Sequence, residues 1–395
     1  MFLNGYYSMR VAVAVAVLSL AWTSARADEG DELHLILPTS NEALYHGEGD
    51  AFYQYTDRNF QGVRSRPWQG GQCGFVRDQE RTPAGVVFTR FHEGVDIKPV
   101  YRDRAEEPLD TVRAIGDGEV VYVNRVERRS SYGKYVVVEH WWSGSPFYSL
   151  YAHLGRVEVE AGQRVDQGHR LGRMGYTGPG LGRRRAHLHF EINMLLNAQF
   201  PQWYNANYRR DDPNDHGLFN GINLAGLDVA ALYLALYENP SLTIEQFLRE
   251  QPMAFKVVVP GSDVPNLFAR YPWLLQPPTE GEPASWAIHF TQSGLPLYAE
   301  PSRTRIERPM LAEVAPEIAQ GYYSTNRLLE RTERSMRLSR RGLRYVGLLT
   351  TGAARLQELE LKAEADLPAQ EQLEPALEPL PEPETQRTKR KVLGW

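Results

Sequence analysis

Two histidines, His187 and His189, stand two residues apart in Arg185-Ala-His-Leu-His-Phe-Glu-Ile192. Their neighbours Leu, Phe and Ile favour a buried strand. On a strand, residues i and i+2 share a face, so both imidazoles enter one site, where one can bind a metal while the other handles a proton. A helix would set them about 200° apart. Three further stretches supply what such a pair needs. His92-Glu-Gly-Val-Asp96 puts an imidazole and a carboxylate at the same parity. On an extended segment both face one way, both are zinc ligands, and Gly94 between them permits a bend or the close approach of another backbone. Tyr151-Ala-His-Leu154 ends a strand on His153, and Gly172-Arg-Met-Gly-Tyr-Thr-Gly178 is a glycine-punctuated loop that steers the chain back.

A catalytic zinc takes three protein ligands and leaves one position for water. Here five side chains qualify: three as ligands and two as free imidazoles beside the activated water. The metal brings that water's pKa to about 7, and a neutral imidazole can take its proton. Such an arrangement suits hydrolysis of an amide.

The elements around these residues read mainly as β. From Gly85 onward, short runs rich in β-branched and aromatic residues follow one another: Val86–Phe91, Thr111–Ile115, Glu119–Val123, Tyr135–His140, Phe147–His153 and Gln163–Val165. Turns such as Gly116-Asp-Gly118 and Ser143-Gly-Ser-Pro146 separate them, as in an antiparallel all-β domain. We expect it to span 84–205. Before it, 28–83 reads as an irregular leader packed on that domain, with a strand at Asp31–Leu37. After it, 206–352 reads as an α+β appendage, with helices at Leu227–Tyr237 and Ile244–Arg249, the second capped by Ser241, and strands at Phe255–Val259 and Trp286–Phe290. Tyr322–Gly352 carries seven arginines between Arg327 and Arg344; its pattern fits a helix or a hairpin about Gly342. The Glu- and Pro-rich stretch 353–395 reads as a disordered tail.

In order and spacing, H-x-G-x-D, Y-A-H-L, the glycine-rich turn and H-L-H-F-E-I resemble the lysostaphin-type (LytM-like) zinc metalloendopeptidases, which are peptidoglycan hydrolases. Joint occurrence of the four motifs is specific where each alone is not, and the resemblance covers about 84–200. It implies a mainly β, antiparallel LytM/lysostaphin-like fold (a duplicated hybrid motif) with an open groove. It implies one Zn2+ per chain held by His92, Asp96 and His189, with His153 and His187 as the catalytic histidines. His187 would be the general base, and His153 would bond the water or the tetrahedral intermediate. The implied substrate is the peptide cross-links of bacterial peptidoglycan. Two stretches depart from the pattern. Pro179-Gly-Leu-Gly-Arg-Arg-Arg-Ala186 replaces a small Ser/Thr-Gly-Pro segment, and its arginines either face the groove or sit in a solvated loop. Asn193–Tyr204 lacks the family's usual ending. A non-catalytic wall-binding regulator on the same fold is the alternative; such relatives lack ligands, whereas this chain keeps all of them. A third reading is a peptidase acting on Gly-rich proteins.

The ends and the composition narrow the setting. Arg10, the apolar Val11–Trp22 and Ala25-Arg-Ala27 form a signal-peptide pattern over 1–27. The apolar run is shorter than the roughly 20 residues of a membrane span. The expected location is therefore periplasmic or secreted, with no stable membrane insertion after cleavage; the alternative reading of the same stretch is an uncleaved anchor. In a chain of 395 residues, a net charge of −5 gives no support for nucleic-acid binding. Cys73, the one cysteine, excludes an intrachain disulfide and a thiolate zinc site, and we read it as packed under a loop. His34, His46, His140, His169, His216 and His289 have no partner motif and read as surface or core residues. Trp141 and Trp142 read as a hairpin or core pair rather than a stacking wall.

Overall fold

The computed structural model describes residues 32–350, except 84, 209–212, 278–280, 317, 319–324 and 334. The signal-peptide pattern at 1–27 and the Glu/Pro-rich stretch 353–395 lie outside the described residues.

A seven-stranded antiparallel sheet organises the molecule. Its path runs Arg164–Val165, Gly118–Asn124, Tyr135–Trp142, Ser145–Ala152, Leu188–Leu195, Leu224–Gly226, with Val95–Ile97 also paired to Leu188–Leu195. The strand Leu188–Leu195 is buried along its whole length, because both faces of the sheet are covered. Its alternation divides the two faces chemically. Leu188, Phe190, Ile192 and Met194 enter the main core, whereas His189, Glu191 and Asn193 lie on the opposite, polar face. That second face continues into a smaller apolar cluster of Tyr135, Val137, Leu150, Ala152 and Leu195.

Around the central sheet pack a three-stranded sheet (Leu154–Val157, Arg170–Met174, Thr111–Arg113) and a hairpin, Gly74–Thr82 with Gly85–His92. A four-stranded sheet of Pro296–Ser302, Ser285–Phe290, Phe255–Pro260 and Met310–Val314 follows. One continuous apolar cluster runs from Leu33 through the central sheet to Leu349. The fold is thus mainly antiparallel β, with helices concentrated after residue 199.

Several local expectations need correction. The segment 32–37 is not a strand. It runs as a strap whose Ile36 amide donates to Ile115 O at 3.0 Å, while Pro38 O accepts from Arg113 N. The helix Ile244–Arg249 is capped by Thr243, not Ser241: the Thr243 hydroxyl accepts from Gln246 N and the Gln246 side chain returns to Thr243 N, the reciprocal pairing of a capping box. Trp141 and Trp142, by contrast, lie as expected in a hairpin: they end the strand Tyr135–Trp142, paired with Pro146 and Ser145, and Trp142 stacks on His140 with ring centroids 5.0 Å apart. The arginine-rich stretch is both a hairpin and a helix. Leu329–Arg331 pairs with Met336–Leu338, and Arg340–Thr350 is helical. Gly342 lies inside that helix, where a Cβ would overlap Leu328 O.

Candidate metal centre

His92, Asp96 and His189 are brought together by strand pairing. Asp96 sits directly opposite His189 in the antiparallel register of Val95–Ile97 with Leu188–Leu195, and directly opposed residues project to the same face about 5 Å apart. His92 arrives by a different route. It ends the outer hairpin, and the chain bends at Glu93–Gly94 before entering the central sheet at Val95. The segment from His92 to Asp96 is therefore not one extended run. Gly94 crosses the Phe190 carbonyl so closely that any Cβ would overlap it.

The three donor atoms form a tight triangle. His92 Nε2 lies 3.0 Å from His189 Nδ1 and 3.1 Å from Asp96 Oδ1, and His189 Nδ1 lies 3.0 Å from Asp96 Oδ1. Ligands at about 2.0 Å from a tetrahedral ion sit about 3.3 Å apart, so the triangle has nearly the size of one face of such a shell. The outer contacts set the protonation. His92 Nδ1 donates to Gln72 O at 2.8 Å, which leaves a lone pair on Nε2. His189 Nε2 donates to Glu191 Oε1 at 2.6 Å, which leaves Nδ1 for the centre. Two lone pairs and a carboxylate oxygen converging at this spacing repel one another unless a proton or a cation lies between them. Without a metal, burial would lower His189, but its bonds to Asp96 and Glu191 raise it to about 10. With a metal bound, the ion takes the place of that proton. The donor set and its geometry therefore fit a divalent ion of the zinc type, and all three ligands are buried.

Two more histidines face the same point. His153 follows the strand Ser145–Ala152 in the left-handed region, at φ 58°, a conformation uncommon outside glycine and frequent at functional sites. Its Nδ1 donates to Thr177 O at 2.8 Å. His187 Nδ1 donates to Arg185 O at 2.7 Å, and its Nε2 is 3.5 Å from Asp96 Oδ1. The two rings lie 4.7 Å apart, edge to face. Burial lowers both below the ordinary histidine value, His153 further because His187 and His189 add to the effect. Both are neutral imidazoles with Nε2 as an acceptor.

The supporting shell includes residues that motif spacing does not single out. Arg77, in the outer hairpin, donates to Asp96 Oδ2 at 2.6 Å. Burial alone would raise Asp96, but His92, His187 and Arg77 hold it well below the usual carboxylate range. Glu191 is gripped by His189, by Asn193 Nδ2 at 2.9 Å and by the Tyr132 hydroxyl at 2.8 Å. The parity that pairs His187 with His189 extends to Glu191 and Asn193, so their presence on this face was readable; Arg77 had no comparable signal. Burial pushes the Cys73 thiol well above the ordinary range, which fits a packed side chain rather than a nucleophile.

The centre opens into a cavity of about 1070 Å³. Its walls include Arg185 of the three-arginine loop, and Arg340, Arg341 and Arg344 of the C-terminal helix. Arg183 instead pairs with Glu107 at 2.6 Å. Among the other histidines, His216 lines this cavity, and its Nδ1 contacts the Tyr122 hydroxyl at 2.8 Å.

The model of peptidase family M23 matches residues 90–201, which contain all five of these residues. This chain carries a peptidase family M23 domain. The chain is similar to two curated proteins of Vibrio cholerae serotype O1. It is 39% identical over 87 residues to peptidoglycan DD-endopeptidase ShyA, covering 22% of this chain and 18% of that protein. To peptidoglycan DD-endopeptidase ShyB it is 38% identical over 82 residues, covering 20% and 17%. The chain thus spans less than a fifth of the length of the curated relatives it matches. Similar solved structures include a zinc-containing peptidase from Vibrio cholerae, at 28% identity over 36% of each chain and TM-score 0.23. Another is the catalytic domain of lysostaphin from Staphylococcus simulans, at 20% identity over 39% of this chain and 85% of that one, TM-score 0.23.

Proposed function

We propose that the protein is an exported zinc metalloendopeptidase that hydrolyses peptide cross-links of peptidoglycan, with the M23 domain as its catalytic unit. The observation that carries this reading is the triangle of His92 Nε2, Asp96 Oδ1 and His189 Nδ1, with two neutral imidazoles beside it. His92, Asp96 and His189 would hold the ion. Zinc bound there supplies a Lewis acid that polarises the scissile carbonyl and acidifies water.

The remaining work falls to this chain's own groups. His187 Nε2, an acceptor close to Asp96 Oδ1, takes the proton from the attacking water and returns it to the departing amine nitrogen. His153 Nε2 is likewise an acceptor, because Nδ1–H is committed to Thr177 O; it orients the water by accepting its second hydrogen. Thr177 O and Arg185 O fix the tautomer and aim of the two rings. Glu191, clamped by Tyr132 and Asn193, fixes His189 in the same way. No helix among the described residues is long and apolar enough to cross a membrane. The peptidoglycan substrate and the signal-peptide pattern together favour an extracytoplasmic site of action.

The deciding experiment is digestion of purified sacculi by the zinc-loaded full chain, with mass spectrometry of the released fragments. Cross-linked fragments should convert to uncross-linked ones, and a chelator should stop the conversion. Intact cross-links after exposure to an enzyme of verified zinc content would overturn the reading.

A further inference from the structure

His153 falls between two strand ladders. Ala152 pairs with His189, and Leu154 pairs with Met174 of the three-stranded sheet, so neither ladder fixes the residue between them. Its backbone is left-handed, at φ 58°, a conformation that a non-glycine residue keeps only where its surroundings over-determine it. Three segments, 131–134, 153–154 and 177–178, supply that constraint. The His153 amide donates to Tyr132 O at 2.9 Å and the Leu154 amide to Lys134 O at 3.0 Å. The buried Thr177 hydroxyl closes the circle. It donates to Leu154 O at 2.9 Å and accepts from Lys134 N at 3.0 Å. A hydroxyl can do both at once, and here it joins the residue after His153 to the turn that holds the His153 amide. The segments touch backbone to backbone. Gly133 is itself left-handed, at φ 63°, and a Cβ there would overlap Thr177, while a Cβ on Gly178 would meet Ser131 O at 2.8 Å. Asn124 Nδ2 anchors the turn by donating to Gly133 O at 2.6 Å.

The same turn reaches the metal centre. The Tyr132 hydroxyl donates to Glu191 Oε1 at 2.8 Å, and that oxygen accepts from His189 Nε2. Tyr132 thus holds His153 through its main chain and the clamp on His189 through its side chain. We propose that Thr177 is a positioning residue of the hydrolysis, its hydroxyl locking the junction at His153 and so aiming that imidazole at the ligand triangle. The proposal rests on the hydrolytic reading of the centre. Thr177 has two separable tasks: its carbonyl oxygen sets the tautomer of the His153 ring, and its hydroxyl sets the backbone that carries the ring. A side-chain substitution tests the second alone.

The test compares the full chain, unaltered, with Thr177→Val, which keeps the shape but loses the hydroxyl, and Thr177→Ser, which keeps the hydroxyl. In Thr177→Val, kcat on a cross-linked muropeptide should fall about 10²-fold, the cost of a misplacement of about 1 Å. KM, and zinc affinity by chelator competition, should stay unchanged, and Thr177→Ser should restore most of the rate. The amides of His153 and Leu154 should exchange hydrogen about tenfold faster in Thr177→Val, the effect of one lost hydrogen bond, and at the original rate in Thr177→Ser. Full turnover in Thr177→Val overturns the proposal. So does an equal loss in both variants, or a fall in zinc affinity in step with kcat. Should Thr177→Val not fold, the unaltered protein still decides: the amides of Lys134, His153 and Leu154 should exchange through one common opening, and a Lys134 amide that exchanges much faster than the other two overturns the lock. Common exchange of the three in a protein that cleaves no cross-link supports the lock while sinking the hydrolytic reading, so the two failures separate.

Discussion

Arg77 Nη2 lies 2.6 Å from Asp96 Oδ2, on the carboxylate oxygen that is not part of the triangle with His92 and His189. The guanidinium is tied back through Nε to Gly70 O at 3.1 Å, so it holds Asp96 in one rotamer and leaves Oδ1 facing the imidazoles. Partners of this kind typically govern metal affinity by about 10–100-fold. Arg77→Met, which keeps the stem and removes the fork, should weaken zinc binding by about that factor. Competition against a chromophoric chelator measures it. Unchanged affinity would mean that Asp96 is held by the strand alone.

Loss of a ligand and loss of a base should look different. His189→Ala removes one corner of the triangle and should abolish both bound zinc and turnover. His187→Ala leaves the three donors in place, so about one zinc per chain should remain while kcat falls about 10²–10⁴-fold, the usual contribution of a proton-transferring side chain. Metal content by atomic emission together with kcat on a cross-linked fragment separates the two variants. A His187→Ala enzyme at full rate would move the base to His153.

How much of this was legible in the sequence depended on whether a signal is local. The alternation through Leu188–Leu195 and the β-rich runs from Gly85 onward announced the central sheet, because a period of two is set by the backbone itself. His92, Asp96, His153, His187 and His189 were named as candidates from motif order; parity served only for His187 and His189, since the chain bends between His92 and Asp96. Arg77 and Gln72 O were not, since their contacts to the site join chain positions that no periodicity links. The same holds for the C-terminal arginines. Their run was visible, but the buried Asn197–Leu348 bond that places them at the cavity spans 151 residues. The strap at 32–37 was misread as a strand because its apolar alternation matches burial of Leu33 and Leu37, whereas its backbone pairs only in isolated bonds.

Gly94 offers a structural test of how the triangle is assembled. A side chain there would overlap Phe190 O and the Glu191 side chain, so Gly94→Ala must push the bend at 93–94 away from the strand Leu188–Leu195. Overpacking of this kind costs about 1–3 kcal/mol. The displaced segment also carries Asp96 out of register with His189. Thermal unfolding with and without added zinc should show a lower midpoint in both cases and a smaller zinc-induced gain than in the unaltered protein. An unchanged zinc-induced gain would show that Asp96 keeps its place without the close crossing.

His140 should make stability depend on pH well away from the metal. It is 1% exposed, donates from Nδ1 to Asp117 O at 2.8 Å and contacts the Ser149 hydroxyl through Nε2 at 2.7 Å. Burial lowers it from 6.5 to about 4, against a smaller opposing effect of Asp117. The folded value lies below the unfolded one, so between these limits the unfolded chain binds more protons and stability rises with pH. The full contribution is present above about pH 6.5 and is lost as pH falls towards 4, a change of about 3 kcal/mol. His153 and His187 are also depressed by burial and add slope of the same sign, so the share of His140 has to be read as a difference. Urea unfolding of the unaltered protein and of His140→Asn, at pH values from 7 down to 5, gives that difference. The slope of stability against pH should be shallower in the variant by up to one proton's worth, about 1.4 kcal/mol per pH unit. Parallel pH profiles for the two proteins would show that His140 titrates alike in the folded and unfolded chains, so that its burial does not depress it.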